Sequence, residues 1–203
     1  MSNSVRDFVK QHVRNKHFMR ADPTVNLKRP PNSADYPSAS SRKNYQMPEE
    51  KGAPPQIQVQ SLDDYLEVMS KAVFQSGMSW RVVNAKWLDT NEAFHGFEIG
   101  RVAALTEEEL DELAQDRRVI RNRRKLAAIA HNAQRIIELD AEHGCFIDYL
   151  RSHGDFYDVV KDLKKQFKFL GDTGCYFFLY VIGEPVPPHD EWMCAQERAK
   201  TRR

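Results

Sequence analysis

The sequence predicts an all-α protein, and three observations lead to that prediction. Apolar residues recur at helical spacing through most of the chain beyond residue 56, helix-capping residues bracket these stretches, and no segment alternates polar and apolar residues as a half-buried strand does. With 203 residues, of which 41% are hydrophobic and 29% charged, the chain is long enough for one domain with a sizeable core. No apolar run approaches the length that spans a bilayer, and the N-terminus lacks the apolar stretch of a secretory signal, so we expect no membrane partner.

The composition predicts two parts, residues 1–55 and residues 56–203. Helical spacing of valine and phenylalanine favours a short amphipathic helix over about residues 4–19. Residues 22–55 are rich in Pro, Ser, Asn and charge, and they carry too little apolar area to offset their chain entropy. We therefore expect an N-terminal extension, made of a short helix and an extended arm, ahead of a helical domain.

Capping signals order the first helices of that domain. Ser61 is a suitable N-cap with two aspartates in the first turn after it, and it begins a helix that runs through Val73. A second helix is predicted over about residues 79–87. A short third helix follows over residues 91–94.

The later helices follow from the same kinds of signal. Thr106 and Glu109 form a capping-box pair that begins a helix over residues 107–115. A long amphipathic helix is predicted over residues 122–143, and Gly144 ends it. Its apolar face carries Leu126, Ile129, Ala130, Ala133, Ile136 and Ile137. Three further helices are predicted over residues 146–150, 156–167 and 173–182.

The distribution of charge matters more than its sum. A net charge of +1 argues against a wholly basic nucleic-acid binder. The acidic block over residues 107–112 is interpreted as a solvated helix face. The basic block over residues 117–125 is either another solvated face or a surface that follows phosphates, and the sequence leaves that choice open.

The three cysteines, Cys145, Cys175 and Cys194, are widely spaced and form no C-x-x-C pair. This usage is typical of reduced thiols rather than of a disulfide framework. We therefore expect a cytoplasmic protein.

The most informative local pattern is the segment over residues 163–171, Leu-Lys-Lys-Gln-Phe-Lys-Phe-Leu-Gly, which precedes an apolar run over residues 175–182. It predicts a helix, a tight aromatic and basic turn, and a second helix. A turn that ends in glycine directs backbone N–H groups outward at a helix start, where they bind a phosphate without reading sequence. Together with the segment over residues 75–80, this hairpin indicates chemistry on DNA bases.

Six segments form a longer ordered series: residues 75–80, 93–97, 102–108, 120–125, 132–133 and 163–171. Together they resemble the DNA-3-methyladenine glycosylase I family, part of the helix-hairpin-helix glycosylase superfamily. The series covers roughly residues 62–182, in the family's order and at natural spacing. Any one segment would be weak, whereas the ordered series is strong.

The resemblance implies a helix-hairpin-helix glycosylase fold with a cleft between helical lobes. Members of the family excise cationic methylated purines, chiefly 3-methyladenine, from duplex DNA after the nucleotide rotates out of the stack. Trp80 would stack on the extruded base, because an indole face attracts a cationic ring; an ordinary core aromatic is the alternative. Gln75 and Met78 match positions between the pocket and the DNA, although Met78 could equally pack the core.

The resemblance also assigns the hairpin. Lys168, Gly171 and Gly174 would grip the DNA backbone near the lesion without specifying sequence. Thr173 stands at about the place where lyase-type members of the superfamily carry a Schiff-base lysine. Its presence there implies simple hydrolysis that leaves an abasic site.

Two departures from the family pattern concern catalysis and metal. The family has a catalytic glutamate eight positions before the pocket tryptophan, where this chain has Ala72. The family also joins an N-terminal Cys and His to a C-terminal His and Cys around a structural zinc. The N-terminal region here has no cysteine, so His189 and Cys194 would be half a site. We predict no metal and no cofactor.

The C-terminal segment offers another carboxylate. Asp190 lies within a residue or so of the position at which other branches of the superfamily keep an essential aspartate. A carboxylate there would stabilise a cationic sugar or orient water, and His189 would assist it or cap a turn. A surface carboxylate after a Pro-rich loop is the alternative.

These observations lead to one hypothesis and two alternatives. The hypothesis is a monomeric, monofunctional DNA glycosylase that acts in base excision repair on double-stranded DNA containing alkylated purines. The first alternative, favoured by Ala72, is a non-catalytic DNA-lesion-binding protein that kept the hairpin. The second is a helical protein whose basic helix binds RNA or a protein partner, which leaves the hairpin unexplained.

Overall fold

The computed structural model describes residues 53–201. Every regular element in that part of the chain is helical, as the sequence predicts, and none of its helices is long and apolar enough to cross a membrane. The predicted helix over residues 4–19 and nearly all of the arm over residues 22–55 lie outside the described residues, so the domain boundary at residue 56 stays a prediction. The helices are α1 (Leu62–Gln75), α2 (Trp80–Ala85), α3 (Trp87–Ala93), a 3-10 turn (His95–Phe97), α4 (Ile99–Ala103), α5 (Glu107–Gln115), α6 (Arg123–His143), α7 (Phe146–Arg151), α8 (Phe156–Gln166), α9 (Asp172–Val181) and α10 (His189–Thr201).

The long helix α6 is the centre of the core. All six residues of its predicted apolar face are buried, and the helix packs against α1, α4, α5 and α7. From α1, the side chains of Leu66, Met69, Val73 and Phe74 are fully buried. Burying a large apolar side chain of this kind stabilises a fold by about 1.5–3 kcal/mol. The α1–α6 contact therefore fixes the frame from which the neighbouring turns project.

Helices α8 and α9 form the predicted hairpin, joined by a turn over residues 167–171. Helix α9 packs on both α8 and α1. The chain that leads into α1 is tied to the far end of α9, where the Ile57 N–H donates to the Val181 carbonyl at 2.8 Å. Helix α1 is thus held between α6 on one side and the hairpin on another.

The predicted helix over residues 79–87 is wrong in its extent. Helix α2 ends at Ala85, the chain turns at Lys86, and α3 begins at Trp87 and continues through Ala93. The indole of Trp87 is buried, stacks on the ring of Phe97 at 5.3 Å and donates to the Glu67 carboxylate at 2.8 Å. We attribute the change of chain direction at Lys86 to the burial of this indole. The predicted short helix over residues 91–94 corresponds to the C-terminal end of α3.

Elsewhere the predicted helix bounds agree with the structure to within a residue or two. Two helices have no counterpart in the predictions, the five-residue α4 and the 13-residue α10. Helix α10 follows the proline-rich residues 185–188, which interrupt a helical pattern. For this reason the good helix formers after them were not recognised as a helix from the sequence.

Candidate functional site

The turn between α1 and α2 presents Trp80 at the surface. Gly77 has φ 79°, a conformation that a side chain would strain, and the Ser79 hydroxyl caps α2 by accepting from the Val82 N–H at 3.4 Å. Trp80 is the first residue of α2, and its side chain is 41% exposed. It is not a core residue, because two-fifths of a large aromatic surface remains open to a ligand.

Phe177 of α9 supports the exposed indole. The rings of Trp80 and Phe177 meet edge to face, with centroids 4.5 Å apart and planes at 69°. Phe177 itself is 8% exposed and so is fixed in the core. This contact brings the predicted base-binding residue against the second helix of the hairpin, and it limits the freedom of the indole.

A buried lysine clamps the start of this turn. Lys125 on α6 is 5% exposed, and its ammonium group donates to the carbonyl oxygens of Phe74, at 3.0 Å, and of Ser76. These carbonyls lie at the C-terminus of α1, where a cation is favourable, although burial lowers the pKa of Lys125. This role of Lys125 was not predicted from the sequence, although a charged residue beside Leu126 on an otherwise apolar face was an available signal.

A buried asparagine clamps the hairpin turn in a similar way. Asn132 on α6 is 1% exposed. Its amide nitrogen donates to the Lys168 carbonyl at 3.1 Å, and its amide oxygen accepts from the Lys168 N–H at 2.9 Å. One side chain therefore satisfies both backbone groups of a single turn residue, and the shape of the turn is set from the core. Asn132 lies in one of the family segments recognised in the sequence, but this role was not predicted.

The hairpin turn buries two of its side chains and exposes two. Phe167 and Leu170 are buried, while Lys168 and Phe169 face solvent. Phe169 has φ 58°, a left-handed conformation that costs a residue with a side chain roughly 1–2 kcal/mol. Strain of this kind is often found where a turn meets a ligand. Phe169 is therefore an additional candidate contact that the sequence analysis did not single out.

The two glycines of the hairpin differ in their surroundings. Gly171 caps α9 and is exposed, and a side-chain carbon placed on it would touch no protein atom within 4 Å. That open space admits the close approach of an outside group to the backbone. On Gly174, by contrast, the same carbon would lie 3.2 Å from Leu170 and 3.7 Å from Ala72. Gly174 thus serves the packing of α9 on α1, and its predicted contact with DNA stays a prediction.

Ala72 is 2% exposed and lies beneath Gly174. The position at which the resemblance leads one to expect a carboxylate is therefore a buried apolar contact between α1 and α9. A glutamate at this position would have to bury its carboxyl group or displace the hairpin. The packing explains why alanine suits this chain but supplies no catalytic group.

Gln75 and Met78 flank the turn that presents Trp80. Gln75 is partly exposed, yet its amide nitrogen is buried without a hydrogen-bond partner among the described residues. The predicted contact of Gln75 with DNA stays a prediction. Met78 is partly buried against the core and also lines a surface groove. The core-packing interpretation of Met78 thus agrees with the structure, and its contact with DNA stays a prediction.

Asp190 lies in the first turn of α10, and its carboxylate is fully exposed. The ring of His189 is 3.6 Å from it. Two contacts to Tyr176 anchor the segment: Trp192 stacks on its ring at 4.3 Å, and the Tyr176 hydroxyl donates to the Pro187 carbonyl at 3.0 Å. Tyr176 is adjacent in sequence to the Phe177 that supports Trp80. In the protein alone, Asp190 nevertheless faces bulk solvent.

The metal and cofactor predictions receive no direct test. Among residues 53–201 no group of three or more His, Cys, Asp and Glu side chains is arranged to hold a metal ion. Cys194 is exposed, and like Cys145 and Cys175 it is a free thiol.

The all-helical fold, with an exposed tryptophan beside a two-helix hairpin, matches the solved structures of 3-methyladenine DNA glycosylases. The chain belongs to the methyladenine glycosylase family, whose model matches residues 56–159, just over half of the 203 residues. The match includes Trp80, Lys125 and Asn132 and ends within α8, so the hairpin turn and Asp190 lie beyond it. The resemblance inferred from the sequence is confirmed.

Individual relatives agree with the family assignment. DNA-3-methyladenine glycosylase 1 of Escherichia coli is 32% identical over 130 residues, covering 54% of this chain and 70% of the relative. DNA-3-methyladenine glycosylase of Haemophilus influenzae is 29% identical with the same coverage. The solved structure of 3-methyladenine DNA glycosylase I from Staphylococcus aureus, which addresses recognition of 3-methyladenine, matches with a TM-score of 0.56 and 26% identity, covering 63% of this chain and 79% of that one.

Proposed function

We propose that this protein is a monofunctional DNA glycosylase that hydrolyses the N-glycosidic bond of alkylated purines such as 3-methyladenine in base excision repair. The observation that carries the proposal is the exposed indole of Trp80, held by Phe177 beside the clamped hairpin. Family membership and the names of the relatives support the substrate class.

The binding step follows from the geometry of the two turns. The hairpin turn over residues 167–171 would hold the phosphate backbone through the Lys168 ammonium group and the open backbone at Gly171. A nucleotide rotated out of the duplex would then stack on Trp80. An indole attracts a cationic methylated purine by roughly 1–2 kcal/mol when water is excluded, which favours the alkylated base over its neutral parent.

The chemical step asks little of the protein, because a cationic purine is already a good leaving group. Asp190 is the candidate that would stabilise the developing positive charge on the sugar or orient the attacking water. In open solvent its charge acts weakly, by about 1 kcal/mol at 4 Å, and the effect grows several-fold when water is displaced. We infer that bound DNA covers Asp190. Thr173 provides no amine for a Schiff base, so the product is an abasic site.

The remaining parts of the proposal concern the setting of the reaction. We propose that a monomer acts on double-stranded DNA in the cytoplasm. The free thiols at Cys145, Cys175 and Cys194 are consistent with a reducing compartment.

The test is the release of free 3-methyladenine from alkylated duplex DNA. We expect wild type to release the base, Trp80→Ala to lose most of the rate, and Asp190→Asn to lose at least tenfold. Matched controls are Leu88→Ala, another exposed apolar residue, and Glu191→Gln, the neighbouring exposed acid of α10. Release that is unaffected by Asp190→Asn would remove Asp190 from the mechanism.

A second candidate function is a DNA-lesion-binding protein without catalysis. The buried apolar site at Ala72 and the solvent-exposed Asp190 favour it. It predicts tight binding to duplex DNA containing an abasic site, dependent on Lys168 and Trp80, with no base released by wild type at any enzyme concentration.

A further inference from the structure

A basic groove of about 500 Å³ begins at the turn that presents Trp80. We define the basic groove by the residues that line it: Met78, Val82, Lys86, Arg117, Val119, Ile120 and Arg121. None of these residues is acidic. Val119 and Ile120 are buried, while Arg117 and Arg121 are exposed. The groove therefore combines an apolar floor with cationic walls.

Ion pairing divides the arginines of the basic block into two groups. Arg118 is paired with Asp116 at 2.7 Å, and Arg123 is paired with Asp111 at 2.6 Å and also with Glu107. These two arginines hold the protein's own loops and helices together. Within the described part of the chain, Arg117 and Arg121 have no carboxylate partner, and both lie in the groove.

The groove walls are linked to each other. The Lys86 ammonium group, at the end of α2, donates to the Arg117 carbonyl at 2.7 Å. That bond ties α2 to the basic block. In residues 53–201 no carboxylate lies within ion-pair distance of the Lys86 ammonium group, although its charge contributes to the lowered pKa of Asp116, which is already paired with Arg118. Three cations are thus held along one surface, an arrangement that favours a polyanion.

We propose that the basic groove binds the phosphate backbone of the undamaged DNA strand, opposite the lesion. The inference rests on the proposed function, in which the hairpin holds the damaged strand. Met78 belongs to both the Trp80 turn and the groove, so the groove continues the proposed DNA surface. A side chain that fills the gap left by an extruded base lies between the strands, and cations beyond it face the opposite strand.

The test determines which phosphates of the duplex the groove cations contact, by removing charges from the protein and from the DNA in turn. The probe is a duplex with a reduced abasic site, in which one phosphate at a time is replaced by a neutral methylphosphonate in either strand. We expect the Arg117→Gln/Arg121→Gln variant to bind the unmodified duplex roughly tenfold more weakly at low salt, with its log–log salt slope reduced by about 1.8, or about 0.9 for each lost contact. Arg198→Gln, an exposed arginine on α10, is the control and should change neither.

The phosphate scan identifies the strand. For wild type, methylphosphonates at one or two positions of the undamaged strand should weaken binding, and the double variant should be insensitive to those same replacements. The Lys168→Glu variant should remain sensitive to methylphosphonates in the undamaged strand and should lose its sensitivity to methylphosphonates in the damaged strand. Sensitivity confined to the damaged strand, or equal losses in wild type and the double variant, would overturn the assignment.

The outcomes separate this inference from the proposed function. If wild type releases 3-methyladenine while the double variant binds with wild-type affinity and salt slope, the groove assignment is wrong and the glycosylase stands. If wild type releases no base but its binding to abasic duplex depends on Arg117 and Arg121 as described, the groove assignment holds and hydrolysis is what fails.

Discussion

The two turns that would hold DNA and the segment that would supply a catalytic charge are built in opposite ways. The Trp80 turn and the hairpin turn are each fixed from α6 by one buried polar side chain, Lys125 and Asn132. Asp190 has no such anchor, since its carboxylate is fully exposed and its segment is held by aromatic stacking at Tyr176. The two turns are thus preorganised for the proposed binding, whereas the proposed catalytic charge of Asp190 would gain its surroundings only in the complex with DNA.

The difference has a physical basis. A buried amide or ammonium group is stable only when its hydrogen bonds are satisfied, so each clamp permits a single arrangement of the turn it holds. An exposed carboxylate is satisfied by water in any arrangement. If the proposed function is correct, selecting a cationic base through binding imposes stricter demands on this scaffold than assisting the departure of a good leaving group.

The strongest challenge to this comparison is Ala72→Glu, which restores a carboxyl group at the buried contact between α1 and α9. Because Ala72 is 2% exposed, the new group would be buried without a prepared partner. We expect a loss of at least about 3 kcal/mol in the free energy of unfolding, measured by urea denaturation. Ala72→Ser, with a smaller polar group, is the control. Unchanged stability together with faster base release would show that a cavity near residue 72 accepts the carboxylate.

Asn132→Leu removes the clamp on the hairpin turn and leaves two backbone groups of Lys168 unpaired. We expect the free energy of unfolding to fall by about 2–4 kcal/mol and binding to abasic duplex to weaken strongly. The control is Gln134→Ala on the same helix, which loses one bond to the Ala103 carbonyl, of 2.7 Å, outside the hairpin. DNA binding that survives Asn132→Leu at full strength would mean that the turn keeps its shape without the clamp.

Lys125→Met removes the clamp on the Trp80 turn and keeps most of the buried volume. The lost bonds to Phe74 and Ser76 are partly offset by removing a buried charge, so we expect a decrease of about 1–2 kcal/mol in stability. Base release should fall by a larger factor than binding to abasic duplex, because the indole moves while the hairpin does not. Arg124→Met, an exposed neighbour, controls for charge. Equal losses in both assays would indicate a general loss of structure instead.

The smallest expected effect concerns His131, which adjoins the hairpin clamp. Burial, together with the charge of Lys168, lowers the pKa of His131. The folded state therefore binds a proton at His131 less readily than the unfolded state does. As pH falls below the ordinary histidine pKa of about 6.5, protonation of the unfolded state lowers the stability of the fold, and stability recovers as pH rises. Urea midpoints of wild type and His131→Gln, compared at about pH 5 and pH 7, should show the variant gaining on wild type at the lower pH. An identical difference at both values would contradict this.

The sequence was sufficient for the helical fold because capping residues and apolar spacing are local signals. The helix over residues 122–143 and its buried face follow directly from them. The break at Lys86 was not predictable in this way, since it depends on the burial of Trp87 against Phe97. Helix α10 was hidden by the prolines before it.

The candidate site was predictable in identity but not in construction. The position of Trp80 followed from the family pattern, whereas its exposure depends on how α2 packs against Phe177. Asn132 and Lys168 are 36 residues apart, and Lys125 and Phe74 are 51 apart. A polar residue on an apolar helix face indicates a buried hydrogen bond. The nearby sequence, however, does not identify the backbone group that forms the other half of the bond.

The bond pattern of Asn132 has a consequence for how this hairpin can change. The Asn132 amide bonds only to the main chain of residue 168, so the shape of the turn does not depend on which side chain that position carries. The charge at residue 168 can therefore be changed, by mutation or by attaching a cross-linking group, without altering the backbone of the hairpin turn. A cross-linking group at residue 168 would therefore show directly whether the hairpin turn lies against DNA, as proposed.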